Sequence, residues 1–192
     1  MSETNWAANV ILVDADYVGR VAFDLTVNFE RMLGRRIPAA DLCRWLDCIA
    51  LDGGLRPGDH SIQVVFIHDK KTLRFPYFTP NDFAADLDAK AFRDALGEFS
   101  LSAVTVEDIV SKSELFVQAL DNILAADTVQ RIMVVGDMED YGTAVKHAVA
   151  AHDGKEVTLF AMEPLNGRGF AQEILGYSLL SALGIQANEV QG

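Results

Sequence analysis

Positive charge is scarce in this sequence. Its 16 lysines and arginines stand against 28 acids, a formal net charge of −12. Phosphate binding normally relies on Lys and Arg, so such a chain repels a polyanion at long range. A bound metal ion can reverse that sign locally, which leaves a nucleic-acid enzyme disfavoured but open. Cysteine is scarcer still. Cys43 and Cys48, five apart in an apolar stretch, match neither a zinc knuckle nor a redox pair and read as buried thiols. The histidines at 60, 68, 147 and 152 show no paired metal-ligand spacing. Neither a P-loop nor a G-x-G-x-x-G follows any apolar run, and "NGRGF" is only a turn signal. No run approaches the ~20 apolar residues that span a bilayer. The first apolar run, 10–13, is too short and lacks the basic flank of a signal peptide, so a cytoplasmic location is expected.

What is present is ordinary globular composition. Half the residues are apolar and 23% charged, and 192 residues suffice for one domain with a core between layers. Short Val/Ile/Leu-rich runs predict strands at 10–14, 62–67, 102–106, 131–135 and 156–161. Helical periodicity predicts helices at 17–33, 40–51, 82–96, 113–126, 141–152 and 169–183. Strands this continuous are buried on both faces, and their alternation with helices predicts an α/β fold. The expected form is a three-layer α/β/α sandwich with a mostly parallel central sheet, spanning 1–192 as a single domain. The stretch 53–60 is a Gly/Pro loop, 69–80 is an excursion or short edge strand, and fraying is expected after about 186.

Acids gather where such a sheet binds ligands, beyond the carboxyl ends of its strands. "ILVDADYVG" ends its strand on Asp14 and Asp16, which share one side if the strand runs on to 16. "IMVVGDMEDYG" supplies Asp137, Glu139 and Asp140, and Glu114 opens the helix "SKSELFVQALDNIL". Carboxylates brought together repel unless a cation joins them, and Mg²⁺ or Mn²⁺ suits oxygen ligands. The competing account is helix capping. Ser111-Lys112-Ser113-Glu114 fits a capping box, and Asp16 or Asp140 could be turn or cap residues.

The order of these motifs resembles the NYN branch of the PIN-like nucleases. The resemblance rests on "VILVDAD", "KSELFVQAL", "IMVVGDMED" and the closing "AVKHAVAAHDGKEVTLF". It implies a PIN-like, Rossmann-like fold and a metal-dependent nuclease acting on RNA. The metal-binding acids would be Asp14, Glu114, Asp137 and either Glu139 or Asp140, with Asp16 supporting. Three positions depart from the pattern: Tyr17 stands for Asn, Val135 for Ser or Thr, and Glu114 for Asp. "ILVDADYV" also resembles the first motif of haloacid-dehalogenase-type phosphatases. That implies Asp14 as nucleophile, Asp16 as general acid/base and Lys112 as the phosphate-stabilising cation. Against it, "VVFIHD" ends in His68 and Asp69 where a Ser or Thr should bind phosphate. A third reading is a PIN-like scaffold or binding protein without catalysis, since fold does not dictate function.

A substrate strand would need cations. Arg35 and Arg36 follow the first helix, and Lys70, Lys71 and Arg74 interleave with Phe75, Tyr77 and Phe78. Such interleaving suits single-stranded RNA, whose bases stack while the backbone is neutralised. The alternative is solvated charge beside a small satellite core. Finally, "FAQEILGYSLLSALGI" is apolar around much of its circumference, which predicts a homodimer through this helix unless it lies between layers.

Overall fold

A computed structural model describes residues 5–190. Along the chain, β1 (Asn9–Asp14) leads into α1 (Ala15–Leu33), and β2 (Ala40–Asp41) into α2 (Leu42–Asp52). There follow β3 (His60–Asp69), β4 (Phe78–Thr79), a single π-helical turn (Phe83–Leu87), β5 (Lys90–Asp94) and β6 (Gly97–Val106). The second half comprises α3 (Lys112–Ala125), β7 (Arg131–Val135), α4 (Met138–Ala150) and β8 (Glu156–Ala161). It closes with β9 (Ala171–Ile174), α5 (Leu175–Ala182) and α6 (Ala187–Val190).

Seven strands form one sheet in the order β5-β6-β3-β1-β7-β8-β9, parallel throughout except for β5. β1 sits at its centre, and every one of its residues is buried. Ile11 and Val13 point into one core, Val10 and Leu12 into the other, as period two requires. The first core lies under α1, α2 and α5, the second under α3 and α4. This is the three-layer α/β/α arrangement with a mostly parallel sheet. No helix among the described residues is long and apolar enough to cross a membrane.

Two segments that read as helices are not continuous helices. Within 82–96, Asp82 caps only one turn, accepting from the N–H groups of Ala84 and Ala85. The chain then reverses into β5, which pairs antiparallel with β6 and stacks Phe92 on Phe99 at 4.5 Å. Gly97 makes this junction possible. Its φ is +120°, and a Cβ there would lie 2.0 Å from the His60 carbonyl oxygen. Sheet pairing thus overrides the helix propensity of an Ala- and Asp-rich stretch. Within 169–183, residues 171–174 add β9 to β8, and the helix starts only at Leu175.

That terminal helix is largely covered by its own chain. Leu175, Leu179 and Leu183 are buried, Trp45 Nε1 donates to Ser178 Oγ at 3.1 Å, and only Tyr177 stands well out. The apolar surface that suggested a second copy therefore packs on α2 and the sheet. The tail is ordered to Val190 as α6, where Glu189 accepts two hydrogen bonds from Arg35.

The 69–80 excursion folds inward. β4 pairs with β2, and Phe75 and Phe78 enter a buried aromatic cluster with Trp45, Phe66 and Phe83. They are core residues, unavailable for stacking with bases.

α2 also carries Asp47 towards β5. Its Oδ1 is buried without a hydrogen-bond partner. Burial pushes the carboxyl up to about 7, helped by a hydrogen bond to Asp94 and by the charges of Asp94 and Asp41. A carboxyl raised in the folded state holds a proton that the unfolded chain has released. Stability is therefore full below the ordinary carboxylate range and falls as pH rises through about 7. Asp47→Asn should leave the melting temperature at pH 4 unchanged and raise it at pH 8 by about 3 °C, after allowing for solvent screening. Equal melting of variant and parent at pH 8 would refute this.

Candidate functional site

β1 and β7 are adjacent, with Val13 opposite Val135, so Asp14 and Asp137 arrive at the same edge of the sheet. Neither stands free. Asp14 is fully buried and is the N-cap of α1, accepting from Tyr17 N–H at 3.1 Å. Asp137 caps α4 in the same way, accepting from Asp140 N–H at 3.2 Å. Gly136 lets this turn close tightly, for a Cβ there would lie 2.9 Å from both the Phe116 ring and the Tyr141 hydroxyl.

A buried tyrosine joins the two acids. Tyr141 Oη donates to Asp14 Oδ2 at 2.6 Å and accepts from Asp137 N–H at 3.1 Å. α4 kinks at this residue, with φ −122° and ψ 22°. Burial, then the charge and hydrogen bond of Asp14, hold its phenol far above the ordinary range. Tyr17, over the same edge, is pushed up to about 12 by burial and then by the charges of Asp137 and Glu139. Both phenols are fixed as neutral groups.

The acids also have cations from within the chain. Lys112 Nζ lies 3.4 Å from Asp14 Oδ1 and 3.2 Å from Asp16 Oδ2. Asp16 is not on the strand; it sits in the first turn of α1, and its Oδ2 also accepts from Asp69 N–H at 2.8 Å. Arg20 Nη2 lies 3.4 Å from Asp137 Oδ2. The repulsion that seemed to call for an ion is thus offset by an ammonium and a guanidinium.

The remaining candidates scatter. Glu114 closes the capping box of α3, accepting from Ser111 N–H at 3.1 Å while Ser111 Oγ accepts from Glu114 N–H. Glu139 lies on the Tyr17 side of α4's first turn, whereas Asp140 lines a groove between α3 and α4 with Asp121 and His147. Arg35 and Arg36 lie beyond the far end of α1, a 19-residue helix about 28 Å long. Lys70 pairs with Asp108, and Arg74 makes a backbone bridge to Asp82. Of the five proposed substrate cations, Lys71 alone lines the cleft beside the acids.

A resident Mg²⁺ or Mn²⁺ needs several open oxygens. Both oxygens of Asp14 are engaged, Asp137 is shared between a cap and Arg20, and Glu114 is turned away. Among the described residues no three acidic, histidine or cysteine groups converge on a point where an ion could sit. As placed, these residues do not fit a resident ion.

Alongside the network runs a cleft of about 540 Å³, between α1 and the 69–77 loop. Asp16, Arg20 and Phe23 line it from α1, Lys71, Pro76 and Tyr77 from the loop, and Lys112 at its base. Sequence reading singled out Tyr77 but passed over Arg20, Phe23 and Tyr141. Two signals were there: Arg20 is four residues after Asp16, and Tyr141 four after Asp137, the spacing of neighbours on a helix face.

A mostly parallel α/β sandwich, with acids capping the helices at its carboxyl edge, defines the class of protein. Within it, residues 3–190 match the family of unknown function DUF6621, and the chain belongs to that family. No curated protein and no solved structure matches it.

Proposed function

We propose that the chain is a non-catalytic binding protein on a PIN-like α/β scaffold, with its ligand site in the cleft beside the acids. The observation that carries this reading is Lys112, whose ammonium occupies the space between Asp14 and Asp16. A metal nuclease would need that space for its ion. A phosphatase would need Asp14 open for attack, and Asp14 is fully buried with both oxygens engaged. The cleft is within the size range of small-molecule sites, roughly 300–1,000 Å³.

The nuclease reading retains one observation in its favour: Asp14 and Asp137 do meet at one edge, joined through Tyr141. Displacement of Lys112 by Mn²⁺ would open them. The test incubates the protein with Mn²⁺ and labelled single-stranded RNA, and separately with a phosphomonoester. No turnover is expected in either. RNA cleavage that disappears in Asp14→Asn would overturn the proposal in favour of the nuclease. Phosphomonoester turnover through a trappable aspartyl-phosphate at Asp14 would overturn it in favour of the phosphatase.

A further inference from the structure

The cleft carries features that the ion-pair network does not explain. Phe23 on α1 is 46% exposed and Tyr77 on the loop 36%, with ring centroids 5.7 Å apart. Large aromatic faces left open side by side at the mouth of a cavity are not placed there by core packing. Tyr77 is, in addition, held in the left-handed region at φ +67°. A bulky residue is rarely found there, and strain of this kind collects at ligand sites. The loop enforces it: Phe75 and Phe78 are anchored in the core on either side, and Tyr77's carbonyl accepts from Ala40 N–H at 2.6 Å.

Charge in the cleft is divided by function. Lys112 is occupied by Asp14 and Asp16. Arg20 is only loosely tied to Asp137, and its side chain is 60% exposed. Lys71 is exposed on the opposite wall. Two reachable cations therefore flank one aromatic pair, with the exposed Asp69 carboxylate lining the same cleft. A flat ring with an anionic tail is the ligand that uses both.

We infer that this cleft takes a nucleoside monophosphate, its base against Phe23 and Tyr77 and its phosphate on Arg20 and Lys71. The inference rests on the cleft being a ligand site, and it names the class of ligand for that reading. The scattered positions of Arg35, Lys70 and Arg74 offer no continuous track for a longer backbone.

Calorimetric titration of the full chain with AMP, adenosine and inorganic phosphate tests it. AMP should bind most tightly and phosphate least. Phe23→Ala and Tyr77→Gly should each weaken AMP and adenosine about tenfold, the scale of losing one stacking face. Lys71→Ala should weaken AMP and leave adenosine unchanged. Tyr77→Gly also relieves the backbone, so its melting temperature should hold or rise while affinity falls, which separates lost binding from lost folding. Absence of AMP binding, or AMP binding indifferent to Phe23→Ala and Tyr77→Gly, would overturn the assignment. If RNA cleavage remains absent in that case, the non-catalytic reading survives and only the ligand is wrong. Asp14-dependent RNA cleavage would instead sink the non-catalytic reading, whatever AMP does.

Discussion

Lys112→Ala is expected to lower stability by about 3 kcal/mol, or about 8 °C in melting temperature, the scale of stranding a buried charge. The reason lies in what remains. Asp14 is fully buried and would keep Tyr141 and the Tyr17 N–H but lose the ammonium, and Asp16 would lose it as well. Adding Asp14→Asn to this variant should restore part of the loss, because the amide can still accept from Tyr141 without an uncompensated charge. Mn²⁺ should stabilise Lys112→Ala, in which the space is open, and have little effect on the parent. Thermal melts of the parent, Lys112→Ala and the double variant, each with and without Mn²⁺, decide it. A fall of under 2 °C for Lys112→Ala would mean that Lys112 is not the counter-ion of this site.

Phe78→Ala should be the other severe change, at about 4 kcal/mol, the usual cost of emptying a packed aromatic site. Phe78 is 1% exposed, stacks on Phe75 at 4.1 Å and meets Trp45 at 5.3 Å. A Phe78 that served as a surface platform for bases would lose almost nothing on the same substitution. Leu73→Ala, in the same loop but 70% exposed, should stay within about 0.5 kcal/mol of the parent. Urea denaturation of both variants separates the two accounts of the loop.

Much of the fold was legible because its strands are nearly pure apolar runs. The bounds 131–135 and 156–161 match β7 and β8, and the meeting of Asp14 with Asp137 follows once β7 is the parallel neighbour of β1. Two helical readings failed where a segment's composition favoured helix but its backbone pairs with a strand of the sheet. Phe92 pairs with Phe99 across the turn at Gly97, and Gln172 with Leu159, pairings to which helical periodicity is blind. The site was half legible for a related reason. Acids at strand ends announce themselves, but their counter-ions come from other elements. Lys112 is 96 residues from Asp16, and its sequence neighbourhood suggested a helix start or a cation for phosphate, not a counter-ion of Asp14 and Asp16. Phe75 and Phe78 left both accounts of their loop open because aromatics between charges look alike whether they face water or a core, and the core account holds.

The two misread segments share a position: they are the rims of the sheet. β5 shows solvent a short strand bearing Lys90, Arg93 and Asp94, and β9 is four residues long with Gln172 and Glu173 exposed. Between them lie five parallel strands rich in valine, isoleucine and leucine, the kind of sequence that templates cross-chain pairing when its backbone is left open. A charged hairpin arm on one side and a stub on the other end the ladder before it can recruit another molecule. The helix-like composition of both segments is then an asset. Residues that take up a β conformation only against their own sheet offer a poor seed for a fibril.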